Sequence, residues 1–433
     1  MDNWKTEKLV ADDKEYIWHP FTAMSPWCAA EHEPIVLVAG EGAIVRDSRG
    51  REYIDGNSSI WTNIHGHNHP RINAAIRDQL DRVAHTSFLG TTNPPAIALA
   101  REIVQLFPQE KFGRVFYSDD GSTGIEAALR IASQYWRLKG SERRIFLSFR
   151  DAYHGDTAGA ASLGATSMFS SGLDDWDFPV RRVGSLCDLA SLRDPEQIAA
   201  VAIEPIVQGA AGMKIWPTGT LRALREWCDH TGALLIADEV MTGFGRTGKM
   251  FACEQESVFP DIYVFAKGLT GGYLPLALTL VTDEVFSPFT GEDPGTTLQY
   301  GHSYTGNPLG CAAALASLSI FKTEGTLESL PPKIAQLAKG MAVIGEIDGV
   351  KEARSIGMIG AIDLPDSALS WEVCRRAREH GVLTRPIRNT VILMPPFCIT
   401  TDLLHSALNA LEKSLKSVFT LNSVDKEGAS AAL

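Results

Sequence analysis

Short apolar runs that alternate with helical segments constrain this 433-residue chain more than any other feature of its sequence. Segments with helical spacing, such as TLRALREWCDH, lie between several of these runs. Short strands that are apolar throughout are typical of sheets covered on both faces, because neither face contacts water. We therefore predict an α/β fold around a mostly parallel sheet. The runs are GRVFYSD, RRIFLSF, AAVAIEP, GALLIADEV, DIYVFAK and LPLALTLVTD.

The chain divides at the long helical pattern NPLGCAAALASLSIFKTE, which follows Gly306. We predict a large domain over 61–320 and a smaller α+β C-terminal domain over 321–422, which the N-terminal segment 1–60 joins. The small, polar residues of 423–433 predict a frayed tail.

Composition excludes several classes of partner. The net charge of -12 argues against nucleic acid, whose binding depends on Lys and Arg contacts to phosphate. None of the seven cysteines forms a CxxC pair, so neither a metal site nor a disulfide framework is expected. Because no stretch is long and apolar enough for a membrane span or a signal peptide, we predict a cytoplasmic protein without a membrane partner.

The stretch IADEVMTGFGRTGK over 236–249 matches a dinucleotide fingerprint and most of a phosphate-binding P-loop. A dinucleotide site needs its glycines directly between strand and helix, but EVMT separates the strand from Gly243. A P-loop needs Ser or Thr at the position that Met250 occupies. The favoured interpretation is that the glycines shape a tight loop; a nucleotide-binding protein is kept as an alternative hypothesis.

Two charged residues at predicted strand ends indicate a different ligand. Asp238 ends the strand LLIAD and Lys267 ends the next strand, IYVFAK. Ligands of open α/β sheets bind outside the carboxyl ends of the strands. Pyridoxal phosphate needs a lysine for its Schiff base and a carboxylate for its pyridine nitrogen, and this pair could supply both. The alternative is a pair of charges that cap the rim of the sheet.

Two further segments fit that cofactor. In YSDDGSTGIEAALRIA, Gly121 and Ser122 begin a predicted helix whose N-terminus could bind a phosphate, although a simple helix cap is the alternative. In DAYHGDT, the Tyr153 ring could stack on a flat cofactor; a core tyrosine is the alternative.

Nearly end to end, the sequence resembles the fold-type I, class III aminotransferases. Within that family it is most similar to the 7,8-diaminononanoate synthases of biotin biosynthesis, which transaminate 8-amino-7-oxononanoate. The family resemblance rests on LLIADEVMTGFGRTGKMFACE, DIYVFAKGLTGG, HSYTGNPLGCAAALAS and EPIVQG. The narrower one rests on IWHPFTAM, DGNSSIWTNIHGHNHP, AYHGDT and GRTGKMFACE.

The resemblance implies a role for each matching residue of the cofactor site. Lys267 would carry the Schiff base and Asp238 would pair with the pyridinium nitrogen. Gly121 and Ser122 would hold the phosphate, and Tyr153 would stack on the ring.

The resemblance also implies a homodimer with shared active sites. Ser303 matches a residue that completes the phosphate site of the neighbouring subunit, and Tyr304 beside it is assigned to the cofactor site. Arg385 matches an arginine that receives a substrate carboxylate, for which a planar guanidinium is well suited. The remaining assignments are substrate contacts by Trp61, Gly301, Phe21 and Arg246, with Asp156 lining the site and Gln208 near the ring.

Three positions depart from the diaminononanoate synthase pattern. Phe21 and Ile392 stand where many of these enzymes have Tyr, and Ile60 stands where they have Trp. The amino donor is therefore left open between S-adenosylmethionine and lysine. Another class III ω-aminotransferase, acting on an ω-amino acid or a polyamine, is the alternative function.

Overall fold

The computed structural model describes residues 5–108, 111–164 and 179–430. The residues in these ranges form strands β1 (Leu37–Glu41), β2 (Ile44–Asp47), β3 (Glu52–Asp55), β4 (Phe112–Ser118), β5 (Ile145–Phe149), β6 (Val180–Val183), β7 (Ile198–Ile203), β8 (Val207–Gln208), β9 (Lys214–Ile215), β10 (Leu234–Asp238), β11 (Ile262–Phe265), β12 (Ala277–Thr282), β13 (Glu352–Ile356), β14 (Ile359–Asp363), β15 (Val382–Leu383), β16 (Pro386–Ile387) and β17 (Thr390–Leu393).

The central sheet has seven strands in the order β4-β12-β11-β10-β7-β5-β6. Strands β11, β10, β7, β5 and β6 are parallel, while β12 runs antiparallel to both of its neighbours. Every residue of β7, β10, β11 and β12 is buried, as the unbroken apolar runs predict. The predicted α/β fold with a mostly parallel sheet is confirmed.

Helices cover this sheet and extend into the rest of the chain. The helix Gly121–Leu138 turns Ile125, Ala128 and Ala132 into a buried cluster that also contains Ile236 of β10. The helix lies so close to the sheet that a Cβ built at Gly124 would lie 2.7 Å from Val264 Cγ1. The α-helices of the described ranges are Thr6–Tyr16, Met24–Cys28, Ser58–Trp61, Pro70–Leu80, Pro94–Val104, Gly121–Leu138, Ala158–Leu163, Thr220–Thr231, Asp283–Phe286, Pro308–Thr323, Leu330–Gly345, Ser367–Glu379 and Thr401–Ser430.

The C-terminal strands form two smaller sheets. One has the order β13-β14-β17-β16 and packs against the helix Leu330–Gly345. The other has the order β1-β2-β3-β15, in which β3 of the N-terminal segment pairs in parallel with the C-terminal strand Val382–Leu383. The division of the chain into 1–60, 61–320 and 321–422 stays a prediction.

The last helix runs from Thr401 to Ser430, so the backbone of 423–430 is helical where the sequence predicts a frayed tail. The end of that predicted tail, 431–433, lies outside the described residues. Among the helices of the described ranges, none is both long and apolar enough to cross a membrane.

Candidate active site

The carboxyl ends of three neighbouring strands meet at one cavity. In the parallel sheet, Ile203 of β7 pairs with Ala237 of β10, and Asp238 pairs with Val264 of β11. Glu204 directly follows Ile203, and Lys267 comes three residues after Val264, so both lie at the same edge of the sheet as Asp238. All three line a cavity of about 290 Å³. It is also lined by Trp61, Gly121, Ser122, Tyr153, His154 and Met241.

Lys267 lies two residues beyond the end of β11, whereas the sequence predicts it at the strand end. It begins the 3-10 helix Lys267–Thr270 with a left-handed φ of 45°. Such a conformation costs a non-glycine residue roughly 1–3 kcal/mol and is typical of functional sites. Its Nζ lies 4.7 Å from the centroid of the Trp61 ring. Burial lowers the pKa of this amine to about 8, and the negative charge of Asp238 opposes the shift only in part.

Asp238 is held by two donors. His154 Nδ1 lies 2.7 Å from Asp238 Oδ2, and the Val240 backbone N–H donates to Oδ1 at 3.1 Å. Burial of His154 would lower its pKa, but its hydrogen bond to Asp238 and the charge of that carboxylate raise the pKa overall. The hydrogen bond with His154 therefore orients the Asp238 carboxylate at the cavity wall.

Glu204, the first residue of EPIVQG, is a further site residue for which the sequence motifs predict no role. Its carboxylate accepts the backbone N–H of Tyr153 at 3.1 Å and that of Gly209 at 2.8 Å. Burial raises its pKa to about 7. The sequence does contain a signal for Glu204. It is a charged residue directly after the fully buried strand β7, just as Asp238 is a charged residue at the end of the fully buried strand β10.

The N-terminus of the helix Gly121–Leu138 forms another wall of the cavity. Asp120 caps this helix by accepting the N–H of Thr123 at 2.9 Å, which leaves the backbone of Gly121 and Ser122 at the cavity. The first N–H groups of a helix have no intrahelical acceptor, so this end can bind an anion. The Ser122 hydroxyl accepts the N–H of Asp156 at 3.0 Å, which ties the helix to the loop after β5.

Tyr153 projects from that loop into the cavity lining. Its hydroxyl donates to Asp156 Oδ2 at 2.7 Å, and its backbone N–H is held by Glu204. The predicted cofactor residues of this subunit, Lys267, Asp238, Gly121, Ser122 and Tyr153, are thus brought together, as is the predicted substrate residue Trp61.

Other predicted site residues lie outside this cavity lining. Arg246 is buried, donates to the Pro395 carbonyl at 2.8 Å and lies 4.8 Å over the Phe397 ring; burial lowers its pKa to about 9. Arg385, between β15 and β16, is exposed. Gln208 is buried in β8 and donates to the Arg150 carbonyl at 3.1 Å.

The remaining predicted residues are on the surface of the single chain. The side chain of Phe21 is 61% exposed and that of Tyr304 is 57% exposed. Gly301 and Ser303 are exposed as well. The Tyr304 ring lies 4.7 Å from the ring of His85, rather than in the cavity of its own subunit.

The glycine-rich loop has a packing role. Glu239 accepts the backbone N–H groups of Ala252 and Cys253, which closes the loop on itself. Gly245 and Gly248 have φ values of 93° and 94°, and a Cβ at Gly245 would lie 2.9 Å from the Phe397 ring. The glycines therefore allow a left-handed turn to pack against the C-terminal part of the chain.

Comparison with known proteins identifies the family. The model of the family described as aminotransferase class-III matches residues 27–415. The chain belongs to the class-III aminotransferases. It is therefore an aminotransferase that uses pyridoxal phosphate, and its central sheet is that of fold-type I.

The similarity extends along the whole chain. A Geobacter sulfurreducens protein named adenosylmethionine-8-amino-7-oxononanoate aminotransferase is 42% identical over 96% of this chain and 99% of its own length. An Aquifex aeolicus protein of the same name is 41% identical over 94% of this chain and 96% of its own.

Solved structures have the same fold. The crystal structure of the Methanocaldococcus jannaschii enzyme of that name has a TM-score of 0.92 and 37% identity, covering 95% of this chain and 99% of its own. A PLP-bound amine transaminase from an uncultivated Pseudomonas species has a TM-score of 0.88 and 33% identity, covering 93% and 99%.

Proposed function

We propose that this aminotransferase converts 8-amino-7-oxononanoate into 7,8-diaminononanoate, a step of biotin biosynthesis. The observation that carries the proposal is the similarity, over nearly the full length of both chains, to relatives named for that acceptor. The cavity supports it, because an amine, a carboxylate and a helix N-terminus meet there in the arrangement that pyridoxal phosphate requires.

The residues of the cavity fit this cofactor in charge and placement. Lys267 would bind it covalently, Asp238 would pair with its ring nitrogen, and the N–H groups of Gly121 and Ser122 would bind its phosphate. Tyr153 would stack on the ring. When bound, pyridoxal phosphate acts as an electron sink that stabilises negative charge on the substrate carbon.

The protein contributes proton transfer and electrostatics. With a pKa of about 8, a useful fraction of Lys267 is neutral near pH 7, so its Nζ can accept a proton from the substrate carbon and return it. His154 holds Asp238 through its 2.7 Å hydrogen bond, which orients the carboxylate. Trp61 covers Lys267 and limits the access of water to Nζ.

We also propose that the protein acts as a homodimer whose active sites are shared. Ser303, Tyr304 and Gly301 are exposed and lie outside their own subunit's cavity lining, which supports their assignment to a partner's site. Arg385 would receive a substrate carboxylate, and Phe21 and Arg246 would contact substrate. The cytoplasmic location inferred from the sequence stays a prediction.

For the amino donor, we propose that lysine is accepted at least as well as S-adenosylmethionine. Ile392 is fully buried in the apolar cluster that contains Trp61, Met241 and Met394. Unlike a tyrosine at this position, it offers no hydroxyl to that region. Losing a hydrogen bond to a polar ligand group costs roughly 0.5–1.5 kcal/mol. An adenosyl group has more polar atoms to satisfy than the chain of lysine. The loss of hydrogen bonds therefore reduces the affinity for S-adenosylmethionine more than the affinity for lysine.

The test is a product assay with purified, cofactor-loaded protein. The protein is incubated with 8-amino-7-oxononanoate and one donor at a time, and 7,8-diaminononanoate is measured by mass spectrometry. Product with either donor, and none with Lys267→Ala, is expected. Separate half-reactions, followed as the change in cofactor absorbance, rank the donors. Fast conversion by S-adenosylmethionine and none by lysine would refute the donor assignment alone.

Similarity to a solved amine transaminase favours one other candidate, an ω-aminotransferase acting on other amines. Growth of a biotin auxotroph lacking diaminononanoate synthase separates the two. Failure to restore growth, together with turnover of an ω-amino acid or polyamine but not of 8-amino-7-oxononanoate, would overturn the proposed acceptor.

A further inference from the structure

Glu204 bridges the two loops that flank the cavity. Its Oε2 accepts the N–H of Tyr153, in the loop after β5, and its Oε1 accepts the N–H of Gly209, in the turn after β8. The backbone of the same residue holds a third element, since the Glu204 carbonyl accepts the indole N–H of Trp216 at 3.0 Å. Glu204 is buried, with 7% of the residue exposed, so little water can replace these donors.

Both bridged loops carry or contact residues of the cofactor site. Tyr153 bears the ring that is assigned to the cofactor. Gly209 lies against Trp61, because a Cβ built at Gly209 would lie 3.5 Å from Trp61 Cζ3. Trp61 in turn covers the amine of Lys267. One carboxylate therefore connects the backbone beneath Tyr153 to the backbone behind Trp61.

From this geometry we infer that Glu204 is a positioning residue, which sets the place of the Tyr153 ring over the cofactor by bridging Tyr153 N and Gly209 N. It acts through these amides and not on the substrate. The inference rests on the proposed contact between Tyr153 and the cofactor ring. Removing the carboxylate would take away the acceptor that both N–H groups use, that of Gly209 in a buried and that of Tyr153 in a partly buried hydrogen bond, and such losses are expensive. The loop would then move to recover hydrogen bonds, and the ring would move with it.

The test measures cofactor binding and not only activity. Glu204→Ala is expected to raise the cofactor Kd about tenfold, the equivalent of one or two lost hydrogen bonds, and to change the circular dichroism induced in the bound cofactor. Glu204→Gln is expected to have a smaller effect, because its single carbonyl oxygen can still accept one of the two N–H groups. If the Ala variant does not fold, the Gln variant carries the test.

The matched control is Glu239→Gln. Glu239 is also buried, also accepts two backbone N–H groups, and also has its pKa raised to about 7 by burial, but it closes the glycine-rich loop. A general packing role for buried carboxylates predicts equal losses of thermal stability in both variants, with no change in the induced signal. A positioning role predicts the changed signal only for Glu204.

A double-mutant cycle with Tyr153→Ala tests the route of action. If Glu204 acts through Tyr153, the effect of the Glu204 substitution on Kd and on the induced signal disappears in the Tyr153→Ala background. Equal effects in both backgrounds overturn the inference and leave the role of Tyr153 intact. If Tyr153→Ala alone changes neither quantity, the proposed ring contact fails and the inference fails with it.

Discussion

The pKa of Lys267 leads to a quantitative prediction for the cofactor-free protein. Only the neutral amine can attack a carbonyl. At pH 7, a lysine with a pKa of 10.5 is neutral in about 0.03% of molecules, whereas a pKa of about 8 makes about 10% neutral. Burial therefore increases the reactive fraction roughly 300-fold, at a cost to the charged form of about 3 kcal/mol.

We expect the rate at which pyridoxal phosphate attaches to Lys267 to rise about tenfold per pH unit below pH 8 and to level off above it. Attachment is fixed by borohydride at timed intervals and measured as the modified Lys267 peptide by mass spectrometry. The Lys267→Ala variant gives the background from other amines.

Neighbouring charges should move this midpoint in a defined direction. Asp238 stabilises the charged amine, so Asp238→Asn should lower the midpoint below pH 8. Asp156→Asn is the matched control, because its exposed carboxylate opposes the shift less and is screened by water. A midpoint near pH 10.5 that does not respond to Asp238→Asn would refute the assignment of the low pKa to burial beside Asp238.

Three further predictions concern the rest of the site. Equilibrium dialysis of the loaded protein with ATP and with NAD should show no saturable binding, because Gly243–Gly248 pack as a turn; stoichiometric binding of either that competes with the cofactor contradicts this. Mixing Lys267→Ala protein with a Ser303→Ala variant should restore part of the activity through heterodimers with one intact site, and a fully active monomer in sedimentation would exclude shared sites. Gly155→Ala should weaken cofactor binding tenfold or more, because Gly155 has a φ of 124° and a Cβ there would overlap the serine hydroxyl at the helix N-terminus. Gly140→Ala, where φ is 69° but no atom lies within 4 Å of the added Cβ, is the control for strain alone, and an equal loss there would contradict the steric explanation.

The sequence alone determined the fold class and most of the residues proposed for the cofactor site. Strands buried on both faces must be apolar throughout, so β7, β10 and β11 are visible as unbroken runs. Parallel strands end at the same edge of the sheet, which predicts that residues at those ends, such as Asp238 and Lys267, lie near one another. The helix that begins at Gly121 is equally local in origin, since Asp120 and Thr123 cap it within four residues.

The tertiary structure decided what depends on contacts between distant segments. Glu204 and Tyr153 are 51 residues apart, and His154 and Asp238 are 84 apart, so no spacing rule could pair them. Lys267 lies beyond its strand because the chain turns there with a left-handed φ, which an apolar run does not encode. The glycine-rich loop matches nucleotide motifs in sequence, but its direction is determined by packing against Phe397, which is far away in the chain. A local pattern specifies which backbone can form, whereas the placement of side chains around a cavity depends on the packing of the whole fold.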